Sequence, residues 1–100
     1  MKISKEHLET IRTLCKEHSV STFSVFGSAT REDFDADSDI DFSVDFNEKD
    51  PFIYTDLYFN LKEKLENLLQ RQIDLIEERA IKNSYFQKEL DETKILIYGS

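Results

Sequence analysis

Cysteine is nearly missing from this chain of 100 residues. Cys15 stands alone, so no internal disulfide can form, and such usage fits a reducing compartment, the cytoplasm. Positive charge is also scarce: 13 Lys and Arg stand against 21 Asp and Glu, a formal net charge of −8. A surface of that sign repels phosphate backbones and argues against nucleic-acid binding. It suits a basic protein partner, or metal ions that offset the carboxylates locally. No apolar run approaches the roughly 20 residues needed to cross a bilayer. Met1-Lys2-Ile3 passes straight into Ser4-Lys5-Glu6-His7 with no apolar core of a secretory signal. No membrane role is expected, and neither repeats, low-complexity tracts nor linkers interrupt the chain.

What remains is one domain's worth of residues, read as a single domain over 1–100. Apolar residues make up 39% and aromatics 12%, enough for one compact core with little to spare. A site that needs walls from two domains must therefore borrow one from a partner.

Ser4 is placed to cap a helix, with Glu6 and Glu9 in its first turns and Leu8, Ile11, Leu14 and Cys15 at helical spacing to about His18. Residues Val20 to Phe26 are β-branched and aromatic and predict a strand, broken by Gly27. Ser28 to Asp33 reads as the start of a short helix, and 34–38 as a polar loop. From Asp39 to Phe46 the alternation is strict: Ile40, Phe42, Val44 and Phe46 on one face, Asp39, Asp41, Ser43 and Asp45 on the other. Asp50 and Pro51 open a second long helix, with Leu57, Leu61, Leu65, Leu68 and Leu69 as its apolar stripe to about Gln70. A short strand over 72–76 follows, then a helix over 80–92 with Ile81, Tyr85, Phe86 and Leu90 facing inward, then an apolar segment over 95–98. The order predicts an α/β (α+β) fold: a small mixed β-sheet with helices packed on it.

Two features of this pattern carry chemistry. Asp39 and Asp41 stand at i and i+2 of a strand, so they point the same way with Cα atoms about 6.5–7 Å apart. Carboxylates at that spacing can bracket a pair of divalent ions about 3.5–4 Å apart. Mg²⁺ suits such oxygen ligands and completes its shell with water and phosphate oxygens. Asp74 is the candidate third ligand, the only charged residue in the apolar run 73–76, where a bare carboxylate is costly. Gly27-Ser28 supplies the second feature. Glycine lets the chain turn sharply and lets backbone N–H groups approach an anion. The Ser28 hydroxyl can donate to a terminal phosphate, and Arg31 can add a charge-assisted contact. A nucleoside triphosphate with its metal ions fits this set, and phosphoryl or nucleotidyl transfer is the leading reading.

Gly27-Ser28, ten residues, then Asp39-Ile40-Asp41, with Asp74 on a later strand, resembles the signature of the nucleotidyltransferase superfamily that includes DNA polymerase β and kanamycin nucleotidyltransferase. The likeness is greatest to the minimal nucleotidyltransferases (MNT), and it runs through nearly the whole chain, down to Tyr85-Phe86-Gln87-Lys88-Glu89 and Leu96-Ile97-Tyr98-Gly99. One departure stands out. Where the family commonly has Gly-Ser-x-Ala-Arg-Gly, this chain has Gly27-Ser28-Ala29-Thr30-Arg31-Glu32, which keeps the arginine but sets Glu32 near the expected phosphate site. The resemblance implies the nucleotidyltransferase fold, two Mg²⁺ held by Asp39, Asp41 and Asp74, and ATP held at Gly27, Ser28 and Arg31. It further implies AMP transfer to a protein hydroxyl, here a tyrosine of a HEPN-domain RNase toxin, the chain being its antitoxin. Asp74 would accept the hydroxyl proton. Neutralisation by contact alone, without catalysis, and transfer to a small-molecule hydroxyl are the alternatives.

Other polar residues read more plainly. Asp35, Asp37 and Asp45 are expected as solvated loop or edge charges, and Lys62-Glu63-Lys64-Glu66 as a solvated helix face. His7 and His18 lack partners at metal-ligand spacing and are expected at the surface. Cys15 reads as a small core residue, and Gly99-Ser100 as the end of the chain rather than a second phosphate loop. Tyr54, Tyr58 and Phe59 suit either the core or an aromatic patch for a partner.

Overall fold

The structure, a computed structural model, describes residues 3–27 and 39–99. The expected short helix from Ser28 and the loop over 34–38 lie outside the described residues.

Helix α1 (Lys5–Glu17) opens where the Ser4 hydroxyl accepts from the His7 N–H at 3.1 Å, with Glu6 in the first turn; both satisfy the positive end of the helix. Strands β1 (Val20–Phe26) and β2 (Ile40–Phe46) follow, then α2 (Pro51–Leu69). The Asp50 carboxylate caps α2 by accepting from the Phe52 and Ile53 N–H groups, and Gln70 in the left-handed region ends it. Strand β3 (Ile73–Glu77) runs into a 3₁₀ turn (Glu78–Ala80), then α3 (Ser84–Thr93) and β4 (Ile95–Gly99).

The four strands form one mixed sheet in the order β3-β2-β1-β4. β1 lies antiparallel to both β2 and β4, while β2 and β3 run parallel. Parallel neighbours need a crossover, and α2 provides it. The crossover places α2 on the same face as α1, where their apolar stripes meet Phe23, Val25, Phe42, Val44 and Leu75 in one buried cluster. Phe23 and Phe42 sit at the centre with ring centroids 4.9 Å apart, and Cys15, Ile11, Leu61 and Leu65 close over them. The opposite face carries the other half of the β2 alternation. There α3 lies near the β1 end of the sheet: the Phe86 ring meets Phe26 edge-on at 6.4 Å, and Leu90 is buried.

Three expectations need correcting. The third helix starts at Ser84, not at residue 80, because the Asn83 carboxamide oxygen accepts from the Tyr85 and Phe86 N–H groups, and so caps the helix there. Ile81 falls in the connection before that cap, and Tyr85 and Phe86 are 77% and 38% exposed. A ten-residue helix on a sheet face that also carries polar groups buries one turn of its stripe, and Leu90 takes that place. His18 is buried, not at the surface. It sits at the C-terminus of α1, with its Nδ1 2.7 Å from the Leu14 carbonyl and its Nε2 3.4 Å from the Lys64 ammonium, so it joins α1 to α2 through polar contacts. Asp45, expected to be solvated, pairs with Arg79 at 2.9 Å. The same guanidinium donates to the Phe46 and Glu48 carbonyls and lies over the Tyr54 ring, tying the turn after β3 to the end of β2.

The core makes a simple prediction. Leu61 is fully buried between α2 and the sheet, so Leu61→Ala should cost about 2–5 kcal/mol through lost burial and a residual cavity. Urea unfolding should show a lower midpoint with an unchanged slope.

Candidate active site

The sheet register decides where the polar residues meet. In the parallel pair, Asp41 stands directly beside Asp74; in the antiparallel pair, Asp41 stands directly beside Phe26. Registered residues share a face, and neighbouring strands are only about 4.8 Å apart. Asp39, one residue before β2, continues the same face two positions along. Residues that lie 33 apart in sequence, Asp41 and Asp74, thereby become nearest neighbours.

Gly27 follows Phe26 at φ +72°. A Cβ built on it would lie 2.5 Å from Asp41 Oδ2. Both constraints point to glycine: the left-handed conformation is strained for other residues, and the Asp41 carboxylate occupies the space a side chain would need. The end of β1 and the acidic face of β2 therefore meet at one point, with the backbone of Gly27 against the carboxylate of Asp41. Ser28 and Arg31 lie outside the described residues, as do Thr30 and Glu32.

The electrostatics follow from this crowding. Burial raises the Asp41 carboxyl above the ordinary carboxylate range, and the charges of Asp74 and then Asp39 push it further the same way. Asp39 and Asp74 are exposed, while Asp41 is half-buried between them. Among the described residues no three acidic, histidine or cysteine side chains close into a ready-made ligand cluster. Like charges with no cation between them have no reason to converge. The residues nevertheless suit divalent ions: three carboxylates on one face provide hard oxygen donors, and burial and like charges already oppose the charge on the half-buried one.

The second half of the acidic alternation behaves differently. Ser43 is 1% exposed, and its Oγ has no hydrogen-bond partner among the described residues. Asp45, at the far end of β2, is held by Arg79 and does not join Asp41.

A strand–Gly turn opposite an Asp-x-Asp strand, with a parallel strand delivering a third Asp, is the arrangement against which known proteins can be compared. The family model for Polymerase beta, Nucleotidyltransferase matches residues 9–100. The chain belongs to this nucleotidyltransferase family. A relative from Methanocaldococcus jannaschii, "Putative protein adenylyltransferase MJ0128", is 33% identical over 94 residues, covering 93% of each chain. A solved structure described as a "putative minimal nucleotidyltransferase" superposes with a TM-score of 0.76 at 28% identity, over 91% of this chain and 89% of the other. A chain from the solved complex of a tri-AMPylated Shewanella oneidensis HEPN toxin with MNT antitoxin shares the fold at 18% identity and a TM-score of 0.68, over 98% of this chain and 74% of that one.

Two outcomes are expected for this nucleotidyltransferase. A carboxyl raised by folding binds its proton more tightly in the native state, so the native state loses stability as pH rises from the ordinary carboxylate range through the raised value. At neutral pH the charged Asp41 is therefore a net cost, and Asp41→Asn should raise Tm without divalent ions. The gain should shrink as pH falls into the ordinary carboxylate range, as calorimetric melts at both pH values would show. Gly27→Ala should cost about 1–3 kcal/mol for a strained backbone and push the Asp41 carboxylate aside. Mg²⁺·ATP titration calorimetry should show weaker binding than the loss of stability explains.

Proposed function

We propose that this nucleotidyltransferase transfers AMP from ATP to a hydroxyl of a partner protein, and that the partner is a HEPN-domain toxin for which the chain serves as antitoxin in the cytoplasm. The observation that carries the reading is the register that sets Asp41 beside Asp74 and against Gly27 in a chain of this family. The adenylyltransferase name of the Methanocaldococcus relative and the tri-AMPylated toxin in the Shewanella complex support the choice of AMP and of a protein acceptor.

In this reading Asp39, Asp41 and Asp74 hold two Mg²⁺, which supply charge neutralisation and lower the pKa of a bound hydroxyl. Gly27 leaves room for the Asp41 carboxylate, and Gly27, Ser28 and Arg31 are the phosphate contacts. The acceptor is a tyrosine hydroxyl. Its oxygen forms a bond to the α-phosphorus, the bond from that phosphorus to the bridging oxygen breaks, and pyrophosphate leaves with the electron pair. Asp74, exposed and close to Asp41, takes the hydroxyl proton. Asp39 and Asp41 would hold the ions that neutralise the triphosphate. Most of the rate gain comes from positioning and from charge placed where it develops.

The test incubates the chain with a HEPN-domain toxin, ATP and Mg²⁺ and reads the toxin by intact mass. The expected result is addition of one or more AMP units to a tyrosine, slowed about 100-fold or more by Asp39→Asn with Asp41→Asn. An unchanged toxin mass overturns the transfer. A double variant that still neutralises the toxin fully identifies contact alone as the mechanism.

A further inference from the structure

The sheet face that carries the acidic residues is not acidic throughout. Asp41 has Asp74 beside it on β3 and Phe26 beside it on β1. Directly opposed residues of an antiparallel pair share a face, with Cβ atoms about 4.5–5.5 Å apart. The Phe26 side chain therefore stands on the same face as the carboxylates, across Asp41 from Asp74. The Phe86 ring of α3 meets the Phe26 ring edge-on, with centroids 6.4 Å apart and planes at 68°. An edge-on pair occupies at most one ring face, so a flat ligand can lie against another. Phe86 is 38% exposed, and Phe26 is half-buried. The Asn83 cap fixes the first turn of α3, the turn that carries Phe86. One face thus has a carboxylate half on β2 and β3 and an aromatic half on β1 and α3.

A nucleotide has the same division. Its phosphates are anions that need cations and backbone N–H donors, while its base is a neutral, flat π-system. Stacking on an aromatic ring is how a protein holds a base without reading its edges. Chain order strengthens the match: Phe26 immediately precedes Gly27, so an aromatic ring and a proposed phosphate contact are consecutive residues. The side of Asp41 selects the occupant. With Asp74 taking the acceptor's proton, the acceptor hydroxyl lies on the β3 side of Asp41. The aromatic side, over β1, is left to the nucleoside.

We propose that Phe26 and Phe86 form the nucleobase subsite of this active site, with Phe86 stacking on the base of the donor nucleotide. The inference rests on the transfer reading above for the identity of the donor, but it concerns binding, which can be measured without turnover. Stacking adds affinity at the nucleoside end and none at the phosphates. It favours a purine over a pyrimidine, because the larger ring system covers more of the phenyl face.

The experiment titrates the full chain by calorimetry with Mg²⁺·ATP, Mg²⁺·CTP and Mg²⁺·tripolyphosphate, which carries the phosphates without a base. The proteins are wild type, Phe86→Leu, Phe86→Trp and Tyr85→Leu. Phe86→Leu keeps an apolar side chain against Phe26 and removes the aromatic face. Tyr85, 77% exposed and about 100° round the helix from Phe86, is the control. Circular dichroism confirms folding. The expected result is an ATP Kd raised about tenfold by Phe86→Leu, restored by Phe86→Trp and unchanged by Tyr85→Leu. ATP should bind wild type more tightly than CTP, and Phe86→Leu should narrow the gap. The tripolyphosphate Kd should be the same in all four proteins. The chain has no tryptophan, so emission from the Phe86→Trp protein should fall with Mg²⁺·ATP and not with Mg²⁺·tripolyphosphate. Wild-type ATP affinity in Phe86→Leu overturns the subsite. So does an equal loss of ATP and tripolyphosphate affinity, which marks a purely structural role for the ring. Weaker binding of a HEPN-domain toxin by Phe86→Leu with ATP affinity intact also overturns it, because the rings then seat the acceptor. ATP binding that depends on Phe86 in a chain that transfers no AMP to the toxin overturns the transfer reading and leaves the subsite standing.

Discussion

Placing Asp41 between two neighbouring strands is the constraint on which the rest of the site depends. Among the described residues, β2 is flanked on one side by antiparallel β1, which runs into Gly27, and on the other by parallel β3, which carries Asp74. The arrangement gathers negative charge where burial already opposes it, and Asp41 is held above the ordinary carboxylate range as a result. A fold tolerates such a cost when something else rewards it. Here the carboxylates form a face of hard oxygen donors beside Gly27, a combination that suits metal ions and phosphates. The strain is stored in one place and its support is built elsewhere.

That support comes from the opposite face of the sheet. Phe23, Val25, Phe42 and Val44 alternate with the polar residues and are buried under α1 and α2. The tight register of the core is therefore also the register of the site: a slip of one residue would bury Asp41 and expose Phe42. The α2 crossover contributes twice. It supplies Leu61 and Leu65 to the core, and its length sets β3 parallel to β2 so that Asp74 arrives beside Asp41. Arg79 and Lys94 secure the turn after β3 with ion pairs and carbonyl contacts. These pairs are partly exposed, so their value lies in geometry more than in energy.

The division of labour across the sheet gives the molecule two kinds of polar surface. At the leading end of β2, Asp41 faces the like charges of Asp74 and Asp39. At the trailing end Asp45 is neutralised by Arg79, and Tyr54 beneath it is raised to about 12 by burial first and then by Glu77. One strand thus carries a crowded acidic end and a neutralised end, separated by the buried Ser43. The net charge of −8 biases the surface toward basic partners.

Much of this was legible in the residues. The alternation of 39–46, the caps at Ser4 and Asp50 and the leucine stripe of α2 are local signals, because periodicity and capping are decided within a few residues. The Asp-x-Asp pair and Gly27 were legible for the same reason, and Asp74 stood out as a lone charge in an apolar run. Other features had no local signature. His18 looked like a surface residue until α2 brought Lys64 to it. Tyr85 and Phe86 looked inward until a cap at Asn83 shifted the helix and only Leu90 found a place on the sheet. The sequence by itself determined which residues could hold metal and phosphate, since that follows from side-chain chemistry and strand parity. Only the tertiary structure decided that Asp41 neighbours Asp74 and that Gly27 lies against its carboxylate. Those are matters of strand order and register, set by long-range packing that no short stretch of chain encodes.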